Sequence, residues 1–179
     1  MLVYFGHTTN IRSFRSVNCA DLQRNLLVTA LKLASQLIRS FEKCRLYPYQ
    51  NTINGILDKP TIGWGNTEYE DGRAVTLKDP PLTQDQADSL SDFFVAKFMD
   101  AVLLLVKVPI TDNQIAALTS FEYNTGHLAG SELLTKLNAG DYKGAAEHFV
   151  DWDHVNHTVN QELFFRRNKE KDLFLEGVA

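Results

Sequence analysis

Two cysteines, Cys19 and Cys44, are all that 179 residues contain, which permits one bridge and no cysteine-based metal pattern. Free thiols are the expectation for a chain made in a reducing compartment, although a Cys19–Cys44 bridge could form after release into an oxidising one. No histidine lies near Cys44 in the sequence, so nothing local activates it as a nucleophile, although folding can bring a partner in. The five histidines, His7, His127, His148, His154 and His157, offer no close ligand spacing beyond the last pair, and neither metal nor cofactor is expected. Long apolar runs are missing too. The strongest, FFVAKFMDAVLLLV at 93–106, is interrupted by Lys97 and Asp100 and is too short to span a bilayer, so no stable membrane insertion is expected. The first 25 residues hold no stretch of signal-peptide length. With a net charge of −4 and no basic aromatic platform, no nucleic-acid partner is expected.

Acids are scarce at the front of the chain. Residues 1–50 carry seven Lys/Arg and only Asp21 and Glu42 as acids, whereas residues 51–113 carry five Lys/Arg and ten Asp/Glu. The basic front half suits an anionic polymer or a solvated helix face. At 44% hydrophobic and 22% charged, the chain reads as one globular domain at 21–179, preceded by an N-terminal extension at 1–20.

Helical periodicity dominates. Leu22, Leu26, Leu27, Ala30, Leu31, Leu33, Ala34, Leu37, Ile38 and Phe41 recur at helical spacing over 21–43, with Asp21 as a possible N-cap. Pro48, Asn51, Asn54 and Gly55 then read as loop, and 59–75 as β structure with a hairpin turn at Asp71-Gly72. Thr83 with Gln86, and Thr111 with Gln114, form capping boxes ahead of helices ending near Val106 and Gly126. Shorter helices are predicted over 131–137 and 141–150, and a last one over 160–176. The fold class is α+β: a mainly helical lobe with a small β-hairpin lobe.

The chemistry concentrates at 40–67, SFEKCRLYPYQNTINGILDKPTIGWGNT. A carboxyl held at the end of a packed helix is partly desolvated and can act near its working pH, which makes Glu42 a candidate general acid. Pairing with Arg45 or Arg39 on a helix face is the alternative. Trp64 and Tyr69 can stack on sugar faces or fill core; Gly63 and Gly65 permit close backbone approach or relieve a tight turn.

SFEKCRLYPYQ followed by TIGWGNT resembles the phage-type lysozymes, the endolysins of the T4 lysozyme-like glycoside hydrolase family. Similar segments recur in order: SFEYNTG at 120–126, LLTKLNAGDYKGAAEHF at 133–149 and FFRRNKEKDLFLEG at 164–177. The resemblance implies a lysozyme-like fold with the β-hairpin lobe beside a cleft. It also implies hydrolysis, by a monomer, of the β-1,4 bond between N-acetylmuramic acid and N-acetylglucosamine in bacterial peptidoglycan. The protein would be made in the host cytoplasm and act on the wall in the periplasm after release. Glu42 and Thr61 fall on the family's catalytic Glu and Thr; Trp64, Asn66, Tyr69 and Asn124 become substrate-binding candidates. Glu122, like Asn124, matches a family position near the bundle core and cleft, with helix capping and buried hydrogen bonding as the alternative, and Arg166-Arg167 matches a family pair of which one braces the fold by pairing with an acid.

One position departs from the pattern. The family's Asp, nine residues after the Glu, becomes Asn51 here, and Thr61 stands ten residues beyond it where the family has six. An amide can hold a water but cannot take its proton. Three readings follow: Asp58 replaces the carboxylate, Asn51 and Thr61 merely orient the water, or the site is weak or silent and the fold only binds wall. A lytic transglycosylase, also reliant on one dominant Glu, is the remaining enzymatic alternative.

Overall fold

The structure, a computed structural model, describes the backbone of residues 19–53 and 55–178, with side chains from Leu27 onward in that range except at position 53. The 1–20 extension lies almost wholly outside the described residues, as does the Cys19 side chain; among those described, Cys44 is a free thiol.

Among the described residues, six α-helices and three two-stranded antiparallel sheets follow in the order α1 (Cys19–Arg39), β1 (Arg45–Tyr49), β2 (Thr52–Ile53), β3 (Ile56–Leu57), β4 (Thr61–Gly63), α2 (Gln84–Leu105), α3 (Asp112–Thr125), α4 (Glu132–Asn138), α5 (Tyr142–Glu147), β5 (His154–Val155), β6 (Thr158–Val159) and α6 (Gln161–Leu175). This is the α+β architecture expected. No helix among the described residues is long and apolar enough to cross a membrane.

Local sequence explains most boundaries. Both capping boxes form: the Thr83 and Thr111 hydroxyls accept from the Gln86 and Gln114 amides, and each Gln side chain answers the cap residue's N–H. Gly126 ends α3 in the left-handed region at φ 64°, which a β-carbon would resist. Asp71-Gly72 makes the expected turn, with Gly72 N–H donating to the Tyr69 carbonyl, although only a single bridge, Glu68 to Ala74, flanks it.

Several boundaries move. Helix α1 stops at Arg39, not near 43, because the Ser40 and Phe41 N–H groups turn back to carbonyls of the last helical turn and the Ser40 hydroxyl takes the Leu37 carbonyl. Asp21 is the third residue of that helix and not its cap. Within the expected loop at 48–55, Pro48 and Tyr49 end strand β1, paired with β4 through Arg45–Gly63 and Tyr49–Thr61, and the β2–β3 hairpin follows. Pro48 is tolerated because the ladder is only two strands wide and irregular between its two pairings. The helix expected at 141–150 is α5 alone, succeeded by a 3₁₀ turn at Val150–Trp152. The β5–β6 hairpin was not expected; Asn156 and His157 turn it with φ of 50° and 63°.

The main core is helical. Phe121, Phe149 and Phe174 are fully buried with Leu118, Leu128, Leu133 and Leu137, joining α3, α4, α5 and α6. A smaller cluster of Ile62, Val75 and Leu90 fixes the β segment onto α2.

Candidate functional site

Glu42 stands in the turn just past α1, three residues after Arg39, with its side chain 31% exposed. Its Oε1 lies 3.3 Å from Arg166 Nη1, a contact that joins residues 124 apart in sequence. Arg45, the alternative partner weighed from sequence, instead stacks on the Tyr49 ring at 4.3 Å. Arg39 turns to Asp92 at 2.7 Å and to the Asp88 carbonyl at 2.6 Å.

Arg166 is held from behind. Its Nε donates to Glu170 Oε1 at 3.2 Å and its Nη2 to the Ser120 carbonyl at 3.3 Å. Arg167 pairs with the same fully buried Glu170, Nη2 to Oε1 at 3.0 Å and Nε to Oε2 at 2.8 Å. Buried charges persist only when compensated in this way. Both arginines, not one, therefore brace the fold, and Arg166 extends the network to Glu42. The spacing of Glu170, four after Arg166 and three after Arg167, was the signal available in sequence.

Tyr123 is the residue that sequence reasoning missed. Burial, and then the nearby Glu42 charge, push its phenol up to about 12. Its hydroxyl donates to the Trp64 carbonyl at 3.4 Å. Tyr49 is raised as well, by burial first and then by both Glu42 and Asp58 against the opposing Arg45 charge.

The remaining sequence candidates divide. Thr61 is buried in β4 opposite Tyr49, with its hydroxyl donating to the Lys59 carbonyl at 3.0 Å. Asn51 and Asp58 are neighbours across the base of the β2–β3 hairpin, where Asp58 N–H donates to the Asn51 carbonyl at 2.9 Å. Asn66 lines a hollow of about 370 Å³ with Gly65, Thr67, Glu68, Phe94, Phe98 and Tyr123. Gly65 borders Glu42: a β-carbon there would meet Oε2 at 4.0 Å, and its φ of 94° disfavours any side chain.

Trp64, Tyr69 and Asn124 do not join that hollow. Trp64 donates its indole N–H to Asp88 at 2.6 Å. Tyr69 lines a separate hollow with Leu82 and Leu90, and its hydroxyl donates to Asp79 at 3.1 Å. Asn124 accepts from Arg167 at 3.0 Å and borders a third hollow beside Trp152. Glu122 accepts from the Leu128 N–H at 2.8 Å, securing the loop after α3. No group of three or more metal-ligating side chains occurs among the described residues.

Comparison with known proteins bears on the family and the fold. The chain is 35% identical over 143 residues to an endolysin of Bacillus phage B103, covering 79% of this chain and 52% of that one. It is 50% identical over 123 residues to a SAR-endolysin of Escherichia phage Mu, covering 68% and 66%. The chain therefore spans about half to two thirds of the length of these relatives. Among solved structures, the endolysin from Escherichia coli O157:H7 phage FAHEc1 superposes with a TM-score of 0.70 at 30% identity, covering 83% of this chain and 94% of that one. The phage lysozyme family profile matches residues 39–170, from the end of α1 through the buried Glu170, and the chain belongs to that family.

Proposed function

We propose that this chain is an endolysin that hydrolyses the β-1,4 bond between N-acetylmuramic acid and N-acetylglucosamine, with Glu42 as general acid and Asp58 as the second carboxylate. The observation that carries the assignment of Asp58 is the closed base of the β2–β3 hairpin. The inserted residues form a hairpin that leaves and returns at one point, so Asp58 stands beside Asn51 rather than seven residues away in space.

In this reading Glu42 protonates the departing glycosidic oxygen as the bond to the anomeric carbon breaks. A water held by Thr61 attacks the opposite face and gives its proton to Asp58. Inverting enzymes work with carboxyls roughly 6.5 to 9.5 Å apart, which leaves room for that water. Arg166 holds one oxygen of the Glu42 carboxyl at 3.3 Å, and the other borders Gly65. The chain acts as a monomer on the wall, after release from the host cytoplasm where it is made, and without stable insertion in a membrane.

The test is clearance of purified, outer-membrane-free peptidoglycan by the wild type, Glu42→Gln and Asp58→Asn. Clearance by the wild type and loss in both variants is the expected outcome, with new reducing ends of inverted anomeric configuration seen by NMR. Loss in Glu42→Gln alone would assign the water to Asn51 and Thr61. Anhydro-muramic ends would indicate a transglycosylase, and binding without clearance a silent wall-binding protein.

A further inference from the structure

Two surfaces flank the Glu42 carboxyl: the end of α1 that delivers it and the Trp64-Gly65 turn that faces it. Both are fastened to the same turn of α2. From the first, Arg39 Nη2 donates to the Asp88 carbonyl at 2.6 Å and to Asp92 Oδ1 at 2.7 Å, where the Ser35 hydroxyl also donates at 2.6 Å. From the second, Trp64 Nε1 donates to Asp88 Oδ1 at 2.6 Å, an oxygen that also receives Gln84 Nε2 at 2.8 Å. Arg39 lies 5.6 Å over the Trp64 ring, closing the loop between the two.

The opposite end of Trp64 is held as well, since its carbonyl accepts from Tyr123 on α3. With indole and carbonyl both tied, the residue that follows has little freedom, and that residue is Gly65, which borders Glu42 Oε2. A wall tied at its indole by a short, charge-assisted bond and at its carbonyl by a second, longer one is preorganised in the sense that matters to catalysis, where small misplacements of a reacting group cost large factors in rate.

We propose that Asp88 is a positioning residue: through Trp64 it fixes the wall that faces Glu42, and through its own carbonyl and Arg39 it ties that wall to the helix end carrying the acid. Trp64 then works as a strut of the cleft and not as a sugar-stacking platform. Asp88 touches neither substrate nor Glu42. The inference rests on the reading of Glu42 as the general acid.

The experiment uses the full chain with Asp88→Ala, Trp64→Phe, their double variant and Asp88→Asn, assayed on soluble uncrosslinked glycan strands. In parallel, the Glu42 carboxyl is titrated by NMR on glutamate-labelled protein. The expected result is a fall in kcat of roughly tenfold or more in each single variant with KM little changed. The double variant should be no worse than the poorer single, because both break one connection. Asp88→Asn, which keeps an acceptor oxygen for the indole, recovers most of the lost rate, and the Glu42 titration moves alike in Asp88→Ala and Trp64→Phe.

A rise in KM alone in Trp64→Phe would make Trp64 a sugar contact and overturn the proposal. So would an unmoved Glu42 titration in both variants, or a lower melting temperature with kcat intact. Should the wild type fail to cut glycan, the functional reading falls, and the titration still decides whether Asp88 sets the surroundings of Glu42.

Discussion

At the scale of single residues, the exchange of the family's Asp for Asn51 is the sharpest chemical question in the chain. An amide cannot accept the proton of an attacking water, so activity must draw on another carboxylate or do without one. Asp58 is hydrogen-bonded through its backbone to Asn51, which makes an exchange experiment possible. Asp58→Asn is expected to lower kcat by roughly a hundredfold or more, in the range that general-base groups contribute. Adding Asn51→Asp to that variant should return a large part of the activity by restoring a carboxylate at the family position. Turbidity loss with the three proteins at one concentration measures both effects. A double variant as inactive as the single would show that the lengthened loop no longer presents position 51 to the water.

Among the elements, the segment between β4 and α2 depends most on charge. Asp79 accepts from the Thr76 N–H at 2.9 Å, from the Thr76 hydroxyl at 2.9 Å, from Tyr69 at 3.1 Å and from Arg73 at 3.1 Å. The Thr76 amide bond chiefly, opposed by partial desolvation, holds the carboxyl down at about 2 against an ordinary value of 3.8. An acid with a depressed folded value binds fewer protons than its unfolded counterpart, so it stabilises the fold above pH ~4 and loses that contribution as the pH falls toward ~2. The melting temperature of the wild type should drop through this window. Asp79→Asn should melt lower at neutral pH and show a shallower fall between pH ~4 and pH ~2. Parallel pH curves for the two proteins would show that the hydrogen-bonded turn has no linkage role.

For the molecule as a whole, α6 closes the helical lobe and supplies the guanidinium that reaches Glu42. Phe174, fully buried, packs on Phe149 at a centroid distance of 5.5 Å, and Phe149 packs on Phe121 of α3 at 5.5 Å. Removing that ring in Phe174→Ala should cost about 3–5 kcal/mol by lost burial plus residual cavity. For a chain of this size that is a fall in melting temperature of order 10 °C. Because α6 also carries Arg166, a loosened helix is expected to lower activity at temperatures where the variant is still folded by circular dichroism. Activity that tracks the folded fraction alone would separate the packing of α6 from its role at the site.

Local order was legible where a rule acts within a few residues. The two capping boxes, the glycine stop after α3, the turn at Asp71-Gly72 and the α+β class follow from side chains that reach only their own backbone or from apolar periodicity. The stretch around Glu42 and Thr61 was recognisable for the same reason, since its motif is contiguous. The sequence misplaced the end of α1, missed strand β1 and gave no sign of the β5–β6 hairpin, because short elements take their stability from partners and not from propensity. Only the tertiary structure decided which charges meet. Arg166 reaches Glu42 across 124 residues, Asp88 reaches Trp64 across 24, and closure of the hairpin returns Asp58 to Asn51. A charged side chain left uncompensated in the interior costs more than the chain can spare, so the packing of α6 and α2 onto the rest of the fold, and no spacing along the sequence, selects its partner.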